Sequence, residues 1–183
     1  MWGGVMENIR VMVVDNDPND EIITMKALQL NNIGSQIIKM QDGVTALEYL
    51  IQGREIPDGE GPHVPGLLLL DLNMPGMAGM EVLTRLRAEE KTTSLPVVIT
   101  TSSTDHREIS ACFAAGANGY LHKSVRFDEF VKNMGEIVSK CIKGYAAALQ
   151  GAPGQCFPEI TDVGNCAALN LLESGIDTCG EYG

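Results

Sequence analysis

Four short polar clusters in this 183-residue chain have the residue types needed to handle a phosphoryl group. Asp15-Asn16-Asp17 follows an apolar run, Asp71-Leu72-Asn73 follows another, Thr100-Thr101-Ser102 follows a third, and His122-Lys123 follows a fourth. Carboxylate and carbonyl oxygens of this kind suit Mg²⁺, which accepts few protein ligands and keeps waters and phosphate oxygens. A carboxylate can also act as a nucleophile toward phosphorus and form an acyl phosphate. A hydroxyl and an ammonium beside it would offset charge on the phosphoryl oxygens.

Such chemistry needs all four clusters on one rim, and the apolar pattern supplies a way to put them there. Strand-length runs at Ile9–Val14, Gln36–Met40, Gly66–Leu70, Pro96–Thr100 and Gly119–His122 alternate with stretches of helical period, as a parallel α/β sheet requires. Leu67-Leu68-Leu69-Leu70 lacks polar alternation, which predicts a central strand covered on both faces. In an open parallel sheet, ligands bind outside the carboxyl ends of the strands, where the four clusters would lie.

The helical stretches carry their own signals. Asp17-Pro18 followed by Asn19-Asp20-Glu21 reads as a helix start: a cap, a proline in the first turn, then acids near the positive end of the dipole. Apolar stripes predict four more helices, through Val44, Leu47, Leu50 and Ile51, through Met80, Leu83 and Leu86, through Ile109, Cys112 and Phe113, and from Phe127 to Cys141. Gly53–Pro65 reads as a long Gly- and Pro-rich loop. These signals place a folded domain at residues 8–143 and an acidic, mostly irregular tail at 144–183. The tail contains five acids and no Lys or Arg.

Composition narrows the partners. A hydrophobic fraction of 44% with 20% charged residues is ordinary for a globular domain. The formal net charge of −11 opposes nucleic-acid binding, because phosphate backbones reward basic clusters. The five cysteines show no metal-ligand spacing and are odd in number, which predicts neither a disulfide framework nor a zinc site. No membrane span and no signal peptide are expected, and the compartment reads as cytoplasmic. The three histidines, His63, His106 and His122, are scattered and are expected to be non-catalytic.

The ordered segments Val-Met-Val-Val-Asp-Asn-Asp-Pro (11–18), Leu-Leu-Leu-Leu-Asp-Leu-Asn-Met-Pro-Gly-Met (67–77), Leu-Pro-Val-Val-Ile-Thr-Thr-Ser (95–102) and Ala-Gly-Ala-Asn-Gly-Tyr-Leu-His-Lys (115–123) resemble the response-regulator receiver domain. The Asp-Pro-Asn-Asp start, the long loop before the third strand and Val-Arg-Phe-Asp-Glu-Phe after the lysine look like stand-alone receivers partnered with phytochrome-type histidine kinases. The resemblance implies a flavodoxin-like (βα)5 doubly wound sheet of order 2-1-3-4-5. It implies Asp71 as the phosphorylated residue, with Mg²⁺ held by Asp15, Asn16, Asp71 and the backbone carbonyl of Asn73. Thr101 would bind the phosphoryl group, Tyr120 would reposition with it, and Lys123 would pair with the phosphate. The implied partner is a histidine kinase or phosphotransfer protein, with a homodimer as a further partner state. Output is expected by protein contact, since the acidic tail has no likeness to a basic DNA-binding domain.

Two positions depart from the family pattern. Asn16 stands where a second, metal-binding acid is usual, which lowers the expected metal affinity. Ser124 stands where proline, often preceded by a cis bond, is usual. These departures leave open a degenerate receiver acting as a scaffold without phosphorylation. Val13-Val14-Asp15-Asn16-Asp17 also mimics the strand-end Asp-x-Asp of haloacid-dehalogenase-like phosphatases, with Asp15 as the nucleophile.

Overall fold

A computed structural model describes residues 10–33, 36–53, 65–123 and 126–149, with side chains described up to residue 142. Five strands alternate with five helices: β1 (Arg10–Val14), α1 (Pro18–Leu30), β2 (Gln36–Met40), α2 (Gly43–Gln52), β3 (Leu67–Asp71), α3 (Gly79–Ala88), β4 (Val97–Thr101), α4 (His106–Ala114), β5 (Gly119–His122) and α5 (Phe127–Leu149). The strands form one parallel sheet in the order β2-β1-β3-β4-β5, which is the expected doubly wound topology.

The sheet is central because its strands are apolar on both faces. Leu67, Leu68, Leu69 and Leu70 are all buried in β3, the middle strand. Alternate residues serve opposite layers, as the strand period of two demands. Met12, Leu68 and Leu70 pack with Leu47, Leu83 and Leu86 from α2 and α3. Val11, Leu67 and Leu69 pack with Leu28 of α1 and with Phe130 and Ile137 of α5. Burying each such leucine stabilises the fold by about 2 kcal/mol relative to leaving it exposed.

The helix signals act where expected. Asp17 caps α1 by accepting a hydrogen bond from the Asn19 N–H at 2.8 Å, with Pro18 in the first turn. Asp42 caps α2 with two bonds from Thr45, one from its N–H at 2.7 Å and one from its hydroxyl at 2.8 Å. Gly53 closes α2 in the left-handed conformation, at φ 69°.

Some expectations shift. Strands β3 and β4 begin and end one residue later than the apolar runs suggest, so Asp71 and Thr101 are themselves the last strand residues. Their backbones are drawn into the ladder by parallel pairing of Asp71 with Thr100 and of Thr101 with His122. Val44 is 49% exposed and does not belong to the buried stripe of α2, while Ile109 and Phe113 are only partly buried. Helix α5 runs through to Leu149, past residue 143 where the composition changes. Ile9, Ser124, the interior of the 53–65 loop and the tail from 150 lie outside the described residues. Cys112 and Cys141 are buried free thiols, with burial pushing Cys141 up to about 12. Among the described residues no helix is long and apolar enough to cross a membrane.

Candidate functional site

The carboxyl ends of β1, β3, β4 and β5 form the rim that the sequence clusters require. Asp15 directly follows β1, anchored by its N–H donating to the Met40 carbonyl at 3.0 Å. Asp71 ends β3, and Leu72 N–H donates to the Thr100 carbonyl at 3.1 Å, tying the turn after it to β4. Lys123 directly follows β5, with its N–H on the Thr101 carbonyl at 2.8 Å. Three different strands therefore deliver the three charged groups to one place through backbone bonds alone.

The turn leading from Asp71 into α3 depends on glycine. A Cβ at Gly79 would stand 2.2 Å from the Asp71 carbonyl oxygen, closer than any side chain can approach. Gly79 therefore lets the start of α3 rest on the end of β3, with its N–H donating to the Leu72 carbonyl at 3.0 Å.

Lys123 is the hub of the charged side. Its ammonium donates to Asp15 Oδ2 at 2.9 Å and to Asp20 Oδ2 at 2.8 Å, and lies 3.2 Å from Asp71 Oδ1. Burial works to lower the Lys123 pKa, but the bonds to Asp15 and Asp20 and the charge of Asp71 outweigh it and hold the ammonium protonated well above the ordinary lysine range. Asp15 is only 2% exposed, and burial raises its pKa against the opposing pull of Lys123 and the Asp17 N–H. Both Asp15 oxygens are engaged, Oδ1 accepting from the Asp17 N–H at 2.9 Å. Asp71 differs: Lys123 and the distant Asn73 N–H, at 3.4 Å, both meet Oδ1, and among the described residues no hydrogen bond reaches Oδ2.

The uncharged side is a chain of hydrogen bonds. Thr101 is fully buried, and its hydroxyl oxygen accepts from Asn73 Nδ2 at 3.2 Å and from the Ser103 N–H at 3.1 Å. The Ser103 carbonyl in turn accepts from the Tyr120 hydroxyl. Tyr120 is buried beneath the sheet face covered by α2 and α3, so its ring is core and its hydroxyl reports on the Thr101 segment.

The structure thus brings Asp15, Asp71 and Lys123 into contact, and Thr101 with Asn73. Tyr120 is linked to Thr101 through Ser103. Asn16 is exposed and its side chain makes no hydrogen bond among the described residues. Asp17 caps α1 through Oδ1 and is not among the three carboxylates that meet Lys123. Sequence reading missed Asp20. Its place among the acids of the first helical turn was read as dipole compensation alone, although one turn of helix from Asp15 is close enough to share a cation.

Asp15 and Asp71 converge on one cationic nitrogen, and the Asn16 side chain and the Asn73 carbonyl that the resemblance adds carry oxygens of the kind Mg²⁺ accepts. Among the described residues no group of three or more His, Cys, Asp or Glu side chains forms a metal cluster.

Residues 11–134 match the response regulator receiver domain family. The response regulator Rcp1 of Synechocystis sp. is 30% identical over 122 residues, covering 67% of this chain and 81% of that protein. The crystal structure of the Mn²⁺-bound form of Rcp1 superposes with a TM-score of 0.63 at 28% identity, covering 72% of this chain and 92% of the other. The phosphorylated cyanobacterial phytochrome response regulator RcpA gives a TM-score of 0.62 at 26% identity, covering 70% and 90%.

Proposed function

This chain belongs to the response regulator receiver domain family of two-component signalling, and from that premise we propose that it is a phosphoryl-accepting switch with Asp71 as the acceptor. The observation that carries the reading is the asymmetry of the two buried carboxylates. Asp15 has both oxygens committed, whereas Asp71 ends the central strand with Lys123 on Oδ1 and no hydrogen bond on Oδ2 among the described residues.

The reaction is an in-line displacement. An oxygen of Asp71 attacks phosphorus, the bond from phosphorus to the donor histidine nitrogen breaks, and its electrons stay on that nitrogen, which takes up a proton. The product is a carboxylic–phosphoric anhydride on Asp71 and a neutral histidine on the donor. Mg²⁺ would be held by Asp15, Asp71 and the Asn73 carbonyl, with Asn16 offering a neutral amide oxygen. When bound it would neutralise charge on the phosphoryl oxygens. Lys123 would exchange its contact with Asp71 for a phosphoryl oxygen. Thr101 accepts two hydrogen bonds at present and has one hydroxyl proton to give, which a phosphoryl oxygen would take.

Drawing Thr101 toward the phosphoryl group would strain its bond from Ser103, whose carbonyl holds Tyr120. The segment between β4 and α4 and the ring of Tyr120 would then settle together into a second arrangement, a shift between two existing populations. A histidine kinase or phosphotransfer protein would be the donor. The likeness to Rcp1 and to a phytochrome response regulator favours a phytochrome-type kinase, and a changed protein interface, homodimeric or with a target, would be the output.

The test is labelling with acetyl phosphate and Mg²⁺, read by mass spectrometry of the phosphorylated peptide. Label at Asp71, abolished by Asp71→Asn, is the expected outcome; label at Asp15 would overturn the reading. The exposed Asn16 supports the rival of a scaffold that is not phosphorylated. An unlabelled wild type that becomes labelled after Asn16→Asp would favour that rival.

A further inference from the structure

A lysine ammonium has three N–H bonds, and three carboxylates surround that of Lys123. Asp20 is nearest at 2.8 Å, then Asp15 at 2.9 Å and Asp71 at 3.2 Å. Two of the three close a strand, while Asp20 comes from α1, set in place by the Asp17 cap and Pro18 that start the helix. Its side chain is 37% exposed, against 2% for Asp15 and 7% for Asp71, so it reaches the ammonium from the solvent side. Asp20 thus adds a third carboxylate to the ammonium from outside the strand ends.

The three carboxylates are not equivalent in a phosphoryl-transfer cycle. Asp71 ceases to be a free carboxylate once it is acylated. Asp15 is the group that would turn toward a metal. Asp20 makes no other side-chain hydrogen bond among the described residues, so it alone can keep Lys123 in both states.

We propose that Asp20 is the positioning residue for Lys123: it holds the ammonium at the rim, aimed at the phosphoryl group, while Asp15 and Asp71 change partners. This rests on Asp71 being the acceptor. Removing the Asp20 carboxylate leaves a flexible four-carbon stem to find the phosphoryl oxygens unaided.

The experiment compares initial rates of Asp71 labelling by acetyl phosphate in the full chain for wild type, Asp20→Asn, Asp20→Ala, Asp20→Glu, Lys123→Ala and the double variant Asp20→Ala/Lys123→Ala. Asp20→Asn and Asp20→Ala should slow labelling about tenfold, the size expected for one charge-assisted hydrogen bond. Asp20→Glu should restore most of the rate. In the Lys123→Ala background, Asp20→Ala should change the rate by less than about twofold, because the two residues act as a unit. A second readout compares metal-free and Mg²⁺-saturated protein without phosphodonor: the Lys123 ¹⁵Nζ ammonium resonance should be protected from solvent exchange in both states in wild type and Asp20→Glu, and in Asp20→Asn should be protected without metal and lost with Mg²⁺. Normal wild-type labelling with an Asp20→Asn rate within about twofold of it overturns this inference alone, as does a full Asp20 effect in the absence of Lys123. Failure of wild type to label at Asp71 overturns the acceptor reading and this inference with it.

Discussion

The rim of the sheet has a charged half and a neutral half, and they are built differently. Around Lys123, single side chains from β1, α1, β3 and β5 or the turns directly after them meet at one nitrogen. Around Thr101, the links run through one hydroxyl and the peptide groups of Ser103 before reaching Tyr120. The charged half is expensive to open, because Asp15 is buried and among the described residues Lys123 is its one ion-pair partner. The neutral half consists of bonds each worth about 1 kcal/mol net, which can be exchanged one for another. A place that must receive a dianion is well served by fixed charge. A segment that must move is better held by weak, replaceable bonds.

Three stability measurements would break or sharpen this contrast. Lys123→Met, in metal-free buffer at neutral pH, should cost about 3 kcal/mol by urea unfolding, since it strands Asp15 in the interior beside Asp71. Tyr120→Phe should cost about 1 kcal/mol, the loss of a part-buried hydrogen bond to the Ser103 carbonyl. A larger loss from Tyr120→Phe than from Lys123→Met would invert the contrast.

Asp42, which follows β2 at the same edge of the sheet but outside the Lys123 cluster, supplies a reference carboxylate held by neutral donors. Asp42→Ala should cost about 1 kcal/mol as a lost helix cap. The Thr45 N–H and hydroxyl hold the Asp42 carboxyl below its ordinary 3.8, so protons bind the unfolded chain more readily than the folded one. Its contribution is therefore complete above pH 3.8 and disappears as pH falls through the lower folded value. Thermal melts of wild type and Asp42→Ala should differ at pH 6 and converge in strong acid; a difference that persists there would show that the cap acts by something other than its charge.

Much of this molecule was readable in advance, for identifiable reasons. The run Leu67–Leu70 announced a strand buried on both faces because no polar residue interrupts it. Asp17-Pro18 announced the start of α1 because cap and proline have a strict positional logic. Asp71, Thr101 and Lys123 were legible as site residues because each closes an apolar run, and parallel strands carry their ends to one edge. Strand limits at Asp71 and Thr101 were missed by one residue, since pairing with β4 and β5 extends the ladder into polar residues that hydropathy excludes. The buried stripe of α2 was overread at Val44, because periodicity marks a face without saying how far the neighbouring element reaches across it.

By itself the sequence determined the order of elements, the helix caps and which residues end the strands, because these depend on local backbone chemistry and on the period of apolar residues. Tertiary structure decided which of the available carboxylates meet Lys123. Asp20 and Lys123 lie 103 positions apart in the chain, and only the folding of the start of α1 and the end of β5 to the same edge of the sheet brings them to 2.8 Å. It also decided that both oxygens of Asp15 accept a hydrogen bond while, among the described residues, none reaches Asp71 Oδ2, a difference between two aspartates at strand ends that burial and neighbouring donors create and that no local pattern encodes.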